Sequence, residues 1–251
     1  MTPAEIEALS FTIIEQEAGN HGFPEDQWTI VRRMIHTSAD FDYLTNVRFH
    51  ADAVKVGVQA IMKGRNVVTD TNMARAGIRK SAILRFGGSL ECLIDDPTVA
   101  HAARDSGCTR AMAAVDAAIP MMRDGLYVVG NAPTALLRLM ELIRSGKAAP
   151  ALVIGLPVGF VNAAESKALL VEMDIPFISN VGRKGGSNVA AAVVNALIIM
   201  AGEEDLLAVA RAADAVPASS ATCGWGWPCP WPGRSRRRAR SRCSLQARPG
   251  S

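Results

Sequence analysis

Two consecutive strand-to-helix turns between residues 126 and 161 constrain the fold more than any other feature of the sequence. The segment reads LYVVGNAPTALLRLMELIRSGKAAPALVIGLPVGFV, and its apolar runs at 126–129 and 151–154 each break into a Gly/Pro turn that opens a helical pattern. In a parallel α/β sheet such turns lie at the carboxyl edge, where free backbone N–H groups and helix N-termini face one crevice. The two neighbouring turns therefore predict a ligand site at that edge.

Helix and strand patterns alternate through the rest of the chain body. Further strand-like apolar runs occur at 66–69, 90–94 and 176–179, with helical patterns between them. Strands that are buried on both faces read as continuous apolar runs, and parallel crossovers need a dozen or more residues. We therefore expect an α/β fold, a three-layer α/β/α sandwich with a mostly parallel five-stranded sheet.

Several helices are predicted from their ends and their apolar spacing. Thr2, Pro3 and Glu5 match a capping box at the start of a first helix that runs to about Ala18. A second helix is expected to start near Pro24, and a third covers about 51–63. The last helix, at about 187–201, is apolar almost all round, which suits either burial in the core or a subunit contact.

The composition divides the chain into a domain at 1–212 and a Pro/Arg-rich tail at 213–251. The tail contains seven Arg and one Asp, with three of the five Cys and three of the four Trp, and it has no helical or strand period. This composition predicts disorder, although its charge alone could attract nucleic acid or anionic lipid. Cys92 and Cys108 lack CxxC spacing, so we expect buried thiols and no metal site.

The sequence also indicates a cytoplasmic protein. No apolar run reaches the roughly 18 residues needed to span a bilayer, and the N-terminus has no basic segment followed by an apolar one. We expect no membrane partner and no nucleic-acid partner for the domain.

His36 is the first candidate for chemistry. It ends a helical pattern beside two hydroxyl residues, Thr37 and Ser38. An unperturbed imidazole has a pKa of about 6.5, so it can donate or accept a proton near neutral pH. A single histidine is more often structural, and this alternative remains open from the residues alone.

Two further motifs indicate anion binding. GRKGGS offers Arg183 and Lys184 with glycines that permit a nest of N–H groups, and Ser187 can cap the following helix. Arg110 starts another helical pattern and could bind a carboxylate. Each has a plain alternative, a tight turn with solvated cations or a surface arginine. The spacing of a Walker A loop is absent.

The turns at GNAPTAL and PVGFVNAAESK supply the remaining candidates. They contain Asn131 and Thr134 in the first, and Gly159 and Lys167 in the second. The first can also be read as a simple helix cap in which Thr134 satisfies free N–H groups, and Lys167 could equally be solvated. If the strand assignments hold, all these residues converge with Arg110 on one edge of the sheet.

The ordered motifs RMIH (33–36), DTNM (70–73), AGI (76–78), TR (109–110), GNAPTAL (130–136), PVGFVNAAESK (157–167) and GRKGGS (182–187) resemble the precorrin-8X methylmutase family. The resemblance covers about 10–202. It implies an α/β homodimer that moves a methyl group from C-11 to C-12 of a corrinoid carrying many carboxylates. The product is hydrogenobyrinic acid, or cobyrinic acid when the ring contains cobalt, and no cofactor is used.

The resemblance also implies roles for individual residues. His36 is the expected proton donor, and Ser10 matches a serine of the relatives. Together with Thr37, Ser38, Arg110, Asn131, Thr134, Gly159, Lys167, Arg183 and Lys184, Ser10 is expected to bind substrate. Two alternatives remain: a corrinoid-binding or carrier protein that does not need His36, and a nucleotide-dependent enzyme that uses GRKGGS as a phosphate loop.

Overall fold

The computed structural model describes residues 1–214 of the 251-residue chain, with side chains up to residue 208. The prediction of a disordered tail at 213–251 therefore lies almost entirely outside the described residues. One sheet of six strands forms the centre of the fold. Its strands are β1 (Val47–Phe49), β2 (Val67–Thr69), β3 (Leu90–Glu91), β4 (Leu126–Val129), β5 (Leu152–Gly155) and β6 (Phe177–Asn180).

The strand order is β1-β6-β5-β4-β2-β3. All neighbours are parallel except β1, which pairs antiparallel with β6. The expected α/β class and mostly parallel sheet are confirmed, but the expected strand number of five was wrong because β1 was missed. This strand has only three residues, with Arg48 exposed between Val47 and Phe49, and such a run is too short to show an alternating pattern.

Helices cover both faces of the sheet. They are α1 (Pro3–Ala18), α2 (Glu25–Ser38), α3 (Tyr43–Asn46), α4 (Ala53–Met62), α5 (Asn72–Gly77), α6 (Lys80–Arg85), α7 (Pro97–Ser106), α8 (Arg110–Ala117), α9 (Pro133–Arg144), α10 (Ala163–Val171) and α11 (Ser187–Asp214). The capping box of α1 is confirmed, because the Glu5 amide donates to Thr2 Oγ1 at 3.3 Å and Thr2 N donates to Glu5 Oε2 at 2.8 Å.

Alternate residues of the central strands point into two separate cores. Leu126 and Val128 of β4 belong to a core shared with α1, α2, α4 and α11. Tyr127 and Val129 belong to a second core shared with α8, α9 and α10. Because successive residues of a strand face opposite sides, this division establishes the three-layer sandwich.

The last helix, α11, owes its apolar pattern to the first of these cores. Val193, Val194 and Leu197 have no exposed surface, and α11 packs mainly against α2 and α4. Core burial within one chain thus accounts for the pattern. Neither α11, which has 28 residues, nor any other helix within residues 1–214 is long and apolar enough to span a membrane.

Candidate active site

His36 lies in the last turn of α2, with its side chain exposed. The helix ends at Ala39, which adopts a left-handed conformation with φ of 52° and donates its N–H to Ile35 O at 2.7 Å. The imidazole ring packs against the ring of Phe11 on α1, with 5.0 Å between the centroids. The imidazole is therefore held from one side and open to a ligand on the other.

Two cavities meet at His36. The first, which we name the α2/α11 cavity, has a volume of about 270 Å³ and is lined by His36 and Thr37 together with Arg79 and residues of α1, α5 and α11. The second, the α1/α2 cavity, has about 450 Å³ and is lined by Ser10, Ile13, His36 and Phe41. The structure thus places Ser10 and Thr37, two predicted substrate-binding residues, each in a cavity that His36 also lines.

The hydroxyl groups near His36 are partly used within their own helices. Ser10 Oγ donates to Ile6 O at 2.8 Å, and Ser38 Oγ donates to Met34 O at 2.7 Å. Each oxygen can still accept a hydrogen bond from a ligand. Thr37 is exposed, and its carbonyl oxygen accepts a long bond of 3.4 Å from Asn188 Nδ2 of α11.

The turn after β4 is occupied by a carboxylate of the protein itself. Asp70, directly after β2, accepts hydrogen bonds from the amides of Gly130, Asn131 and Ala132 at 2.8–2.9 Å. Burial raises the pKa of the Asp70 carboxyl, and these three N–H groups oppose that rise. The expectation that free amides in this turn face a ligand was wrong for these three, because Asp70 already binds them.

Side chains around that turn still converge. Thr109 caps α8 and donates its hydroxyl hydrogen to Thr134 Oγ1 at 3.2 Å, which joins the starts of α8 and α9. Arg110 is the exposed first residue of α8, and Asn131 is exposed in the turn that precedes α9. Thr134 does not act as the helix cap, since α9 has no side-chain cap at Ala132. Three predicted residues therefore lie at neighbouring helix starts.

Lys184 binds two carboxylates of the protein. Its Nζ contacts Asp40 Oδ2 at 2.7 Å and Asp42 Oδ2 at 2.6 Å, and both residues follow the end of α2. These carboxylates raise the pKa of the Lys184 ammonium. The pKa of the Asp40 carboxyl is lowered, because the hydrogen bonds from the Lys184 ammonium and the Asp42 backbone N–H outweigh the opposing effect of burial. A cation paired in this way is a weak candidate for binding substrate; it instead joins the GRKGGS loop to the segment that follows His36.

Lys167 is fully buried below the same loop. Its Nζ donates to Asn180 Oδ1 at 3.1 Å and to the carbonyl oxygen of Lys184. Burial lowers the pKa of the Lys167 ammonium to about 8. Both contacts are with the protein, so they support a role in holding the loop. A substrate could not reach the buried ammonium directly, as the prediction for Lys167 requires.

The glycines of GRKGGS serve close packing. A Cβ on Gly185 would lie 2.3 Å from Leu156 O, and the Gly186 amide donates to that same oxygen at 2.9 Å. Ser187 Oγ pairs with Thr71 Oγ1 at 2.9 Å, so its hydroxyl joins α11 to α5. The proposed anion nest is therefore used in part to seat the loop against the end of β5.

Arg183, which is exposed, and Gly159, which is half-buried, form a second group of predicted residues. The guanidinium of Arg183 lies 5.5 Å from the ring centre of Phe160, and the Gly159 amide donates to Arg183 O at 3.3 Å. Phe160 and Val161 are 84% and 77% exposed. This apolar loop is next to the Arg183 guanidinium, which forms no ion pair with the residues that the structure describes, at the carboxyl edge of the sheet.

Sequence reasoning missed three residues near the site: Arg33, Arg79 and Asp70. Arg33 and Arg79 line the α2/α11 cavity with His36. Arg33 belongs to the motif RMIH and Asp70 to the motif DTNM, but neither motif indicates which residues contact these side chains. The position of Asp70 directly after a buried strand was the available signal.

The comparisons with known proteins agree with this architecture. The sequence profile described as precorrin-8X methylmutase matches residues 5–200. The cobalt-precorrin-8 methylmutase of Priestia megaterium is 47% identical over 199 residues, which are 79% of this chain and 88% of that protein. The precorrin-8X methylmutase of Pseudomonas aeruginosa is 36% identical over 190 residues, 75% and 91% of the two chains.

A solved structure gives the same result. The precorrin-8X methylmutase of Thermus thermophilus superposes with a TM-score of 0.75 and 44% identity, covering 80% of this chain and 97% of that one. Fold and relatives together define an α/β isomerase that transfers a group within one molecule. The chain belongs to the precorrin-8X methylmutase family. The expected family and enzyme class are confirmed.

Proposed function

We propose that this chain moves a methyl group from C-11 to C-12 of precorrin-8X or cobalt-precorrin-8 in cobalamin biosynthesis, with His36 as the proton donor. The observation that carries the proposal is the exposed imidazole at the junction of two cavities, in a chain that belongs to this family. Relatives are named both for the metal-free and for the cobalt-containing substrate, so both are candidate substrates here.

The chemistry needs little beyond one acid–base group. A 1,5-shift of methyl requires a rearranged π-system, and protonation of the ring by His36 with loss of a proton elsewhere produces the migrating tautomer. No cofactor enters this scheme. A rigid macrocycle that is held against the imidazole gains much of its acceleration from positioning. The protein therefore contributes a proton and a fixed orientation.

The carboxylates of the corrinoid are the groups that orient it. Arg110 and Arg183 supply exposed guanidinium groups, while Asn131 and Thr134 supply hydrogen bonds at the same sheet edge. Gly159 lets the loop backbone approach the ring. Ser10 and Thr37 bind it from the cavities that contain the imidazole, and Ser38 contributes a hydroxyl two residues after His36. Lys167 and Lys184 act indirectly, by fixing the loop that carries Arg183.

The enzyme functions as a cytoplasmic homodimer with no nucleic-acid partner. Support for self-association comes from the exposed apolar side chains of Phe160 and Val161, which a second copy would cover. Sedimentation analysis of Phe160→Asp tests the dimer: a shift to monomer supports this contact, and an unchanged dimer rules it out.

Replacement of His36 by Ala tests the catalytic role. The variant is expected to lose turnover of precorrin-8X and its cobalt complex, followed in the visible spectrum, while it still binds the corrinoid product. His101→Ala is the matched control, because His101 is an exposed histidine on α7 that pairs with Asp105. Turnover by the His36 variant at the wild-type rate would refute the role, and product binding without turnover by the wild-type protein would indicate a carrier.

A further inference from the structure

One face of α1 places an aromatic ring against His36. Glu7, Phe11 and Glu15 follow one another at intervals of four residues, so these side chains lie on the same face of the helix. The Phe11 ring is half-buried, and its centroid lies 5.0 Å from that of the His36 imidazole. Phe11 lines neither the α2/α11 cavity nor the α1/α2 cavity. It therefore contacts the imidazole from outside the space that is open to a ligand.

Two ion pairs hold this ring at one place along α2. The guanidinium of Arg33 pairs with Glu7, four residues before Phe11, at 3.3 Å. The guanidinium of Arg32 pairs with Glu15, four residues after Phe11, at 2.8 Å. Both guanidinium groups also lie against the Phe11 ring, whose centre is 4.6 Å from Arg32 Cζ and 5.1 Å from Arg33 Cζ. Cations at such distances are attracted to an aromatic ring, so these contacts fix both the register of α1 and the ring itself.

The imidazole of His36 has no hydrogen bond that would orient it. Within residues 1–208, neither of its ring nitrogens has a hydrogen-bond partner. A histidine that transfers protons is usually oriented by a hydrogen bond to its second ring nitrogen. Among the side chains that the structure describes, Phe11 is the one aromatic ring that packs against His36. The orientation of the imidazole therefore depends on packing, and Phe11 supplies a flat surface for it.

We propose that Phe11 is a positioning residue for proton transfer by His36. An exposed side chain samples several rotamers, and each rotamer aims the ring nitrogens in a different direction. Contact with a ring that two guanidinium groups hold in place selects one rotamer and leaves both nitrogens free for the corrinoid. Alignment of the reacting groups supplies a large part of the acceleration in such a reaction. This inference rests on the proposed function and adds to it a residue that lies outside the two cavities.

Steady-state kinetics of three variants with precorrin-8X test this role. Phe11→Met keeps a large apolar side chain but removes the flat ring, and it is expected to lower kcat about tenfold while KM stays within about twofold of the wild-type value. Phe11→Tyr keeps the ring and should retain kcat within about twofold. Phe23→Met is the matched control, because Phe23 is also a half-buried phenylalanine beside a histidine, with 5.8 Å between its ring centroid and that of His21. The control should change neither kcat nor KM.

Nuclear magnetic resonance measures the orientation of the imidazole without turnover. The chain has four histidines, so in protein labelled at histidine the signals of His36 are identified by their absence from His36→Ala. The three-bond couplings about the Cα–Cβ bond of His36 should correspond to one rotamer in the wild type and in Phe11→Tyr. In Phe11→Met they should correspond to an average over several rotamers. The couplings of His101, an exposed residue of α7, should be the same in all three proteins.

The results distinguish this inference from the proposed function. A wild-type kcat in Phe11→Met, or a single His36 rotamer in that variant, would overturn the role of Phe11. A loss of kcat in Phe11→Tyr or in Phe23→Met as large as that in Phe11→Met would also overturn it, because the ring beside His36 would then not be the cause. If the proposed function fails instead, His36→Ala keeps its turnover, and the couplings still show whether Phe11 orients the imidazole.

Discussion

Asp70 provides the sharpest test of how the site is built. Its two carboxylate oxygens bind three backbone amides in the turn between β4 and α9, and the side chain is 2% exposed. In Asp70→Asn only one oxygen remains, so at least one buried N–H faces an NH₂ group. An unsatisfied buried donor costs about 1–3 kcal/mol. Relief of the buried charge offsets part of this, and the expected loss in the free energy of unfolding is about 2 kcal/mol.

Asp70→Ala removes both acceptor oxygens, and with them all three hydrogen bonds, and should cost about 4 kcal/mol. Asp124→Asn is the matched control, because Asp124 is 60% exposed and its φ of 55° is one that Asn tolerates; it should cost less than about 0.5 kcal/mol. Urea unfolding measures all three, and product binding by Asp70→Asn should weaken because Asn131 and Thr134 lose their anchor. If Asp70→Ala were as stable as the wild type within 1 kcal/mol, the amides would have other partners and the reasoning would be refuted.

Two further predictions concern the loop after β6. Burial lowers the pKa of Lys167 to about 8 from 10.5, so between these pH values the unfolded chain binds more protons than the folded one. The free energy of unfolding of the wild type, measured relative to Lys167→Met, should therefore rise by up to about 3 kcal/mol from pH 8 to pH 10.5 in denaturant titrations. A difference that does not change with pH would contradict the shift. Lys184→Met and the double variant Asp40→Asn/Asp42→Asn should both lower kcat several-fold with similar KM in steady-state assays, since each breaks the same link to the His36 segment. Tighter substrate binding in the double variant would instead assign Lys184 to the substrate.

The fold was largely predictable because its signals are local. The capping box of α1 and the strand at 126–129 are confirmed at the residues expected from the sequence. A continuous apolar run such as that of β4 predicts a buried strand even when the neighbouring strands are not known. The edge strand β1 was missed for the opposite reason: its three residues have no local strand pattern, and they are a strand only because they pair with β6.

The strand-to-helix turns at the sheet edge were predictable from the sequence, but the partners of their charged groups were not. Lys184 lies 144 residues from Asp40, and nothing near either residue indicates that they meet. Asp70 lies 60 residues from the Gly130 amide that it binds. The sequence patterns locate the carboxyl edge, while the three-dimensional packing decides which polar groups satisfy one another and which remain for a ligand.

The two outer strands of the sheet limit how copies of this chain can associate. β1 has three residues and β3 has two, so each offers another chain very few unpaired backbone groups. Merging of two sheets through their borders is therefore unfavourable in the part of the chain that is described. Assembly of a homodimer would depend on side-chain complementarity across loops and helices. The short edge strands also prevent a fold with so many apolar strands from extending its sheet into fibres.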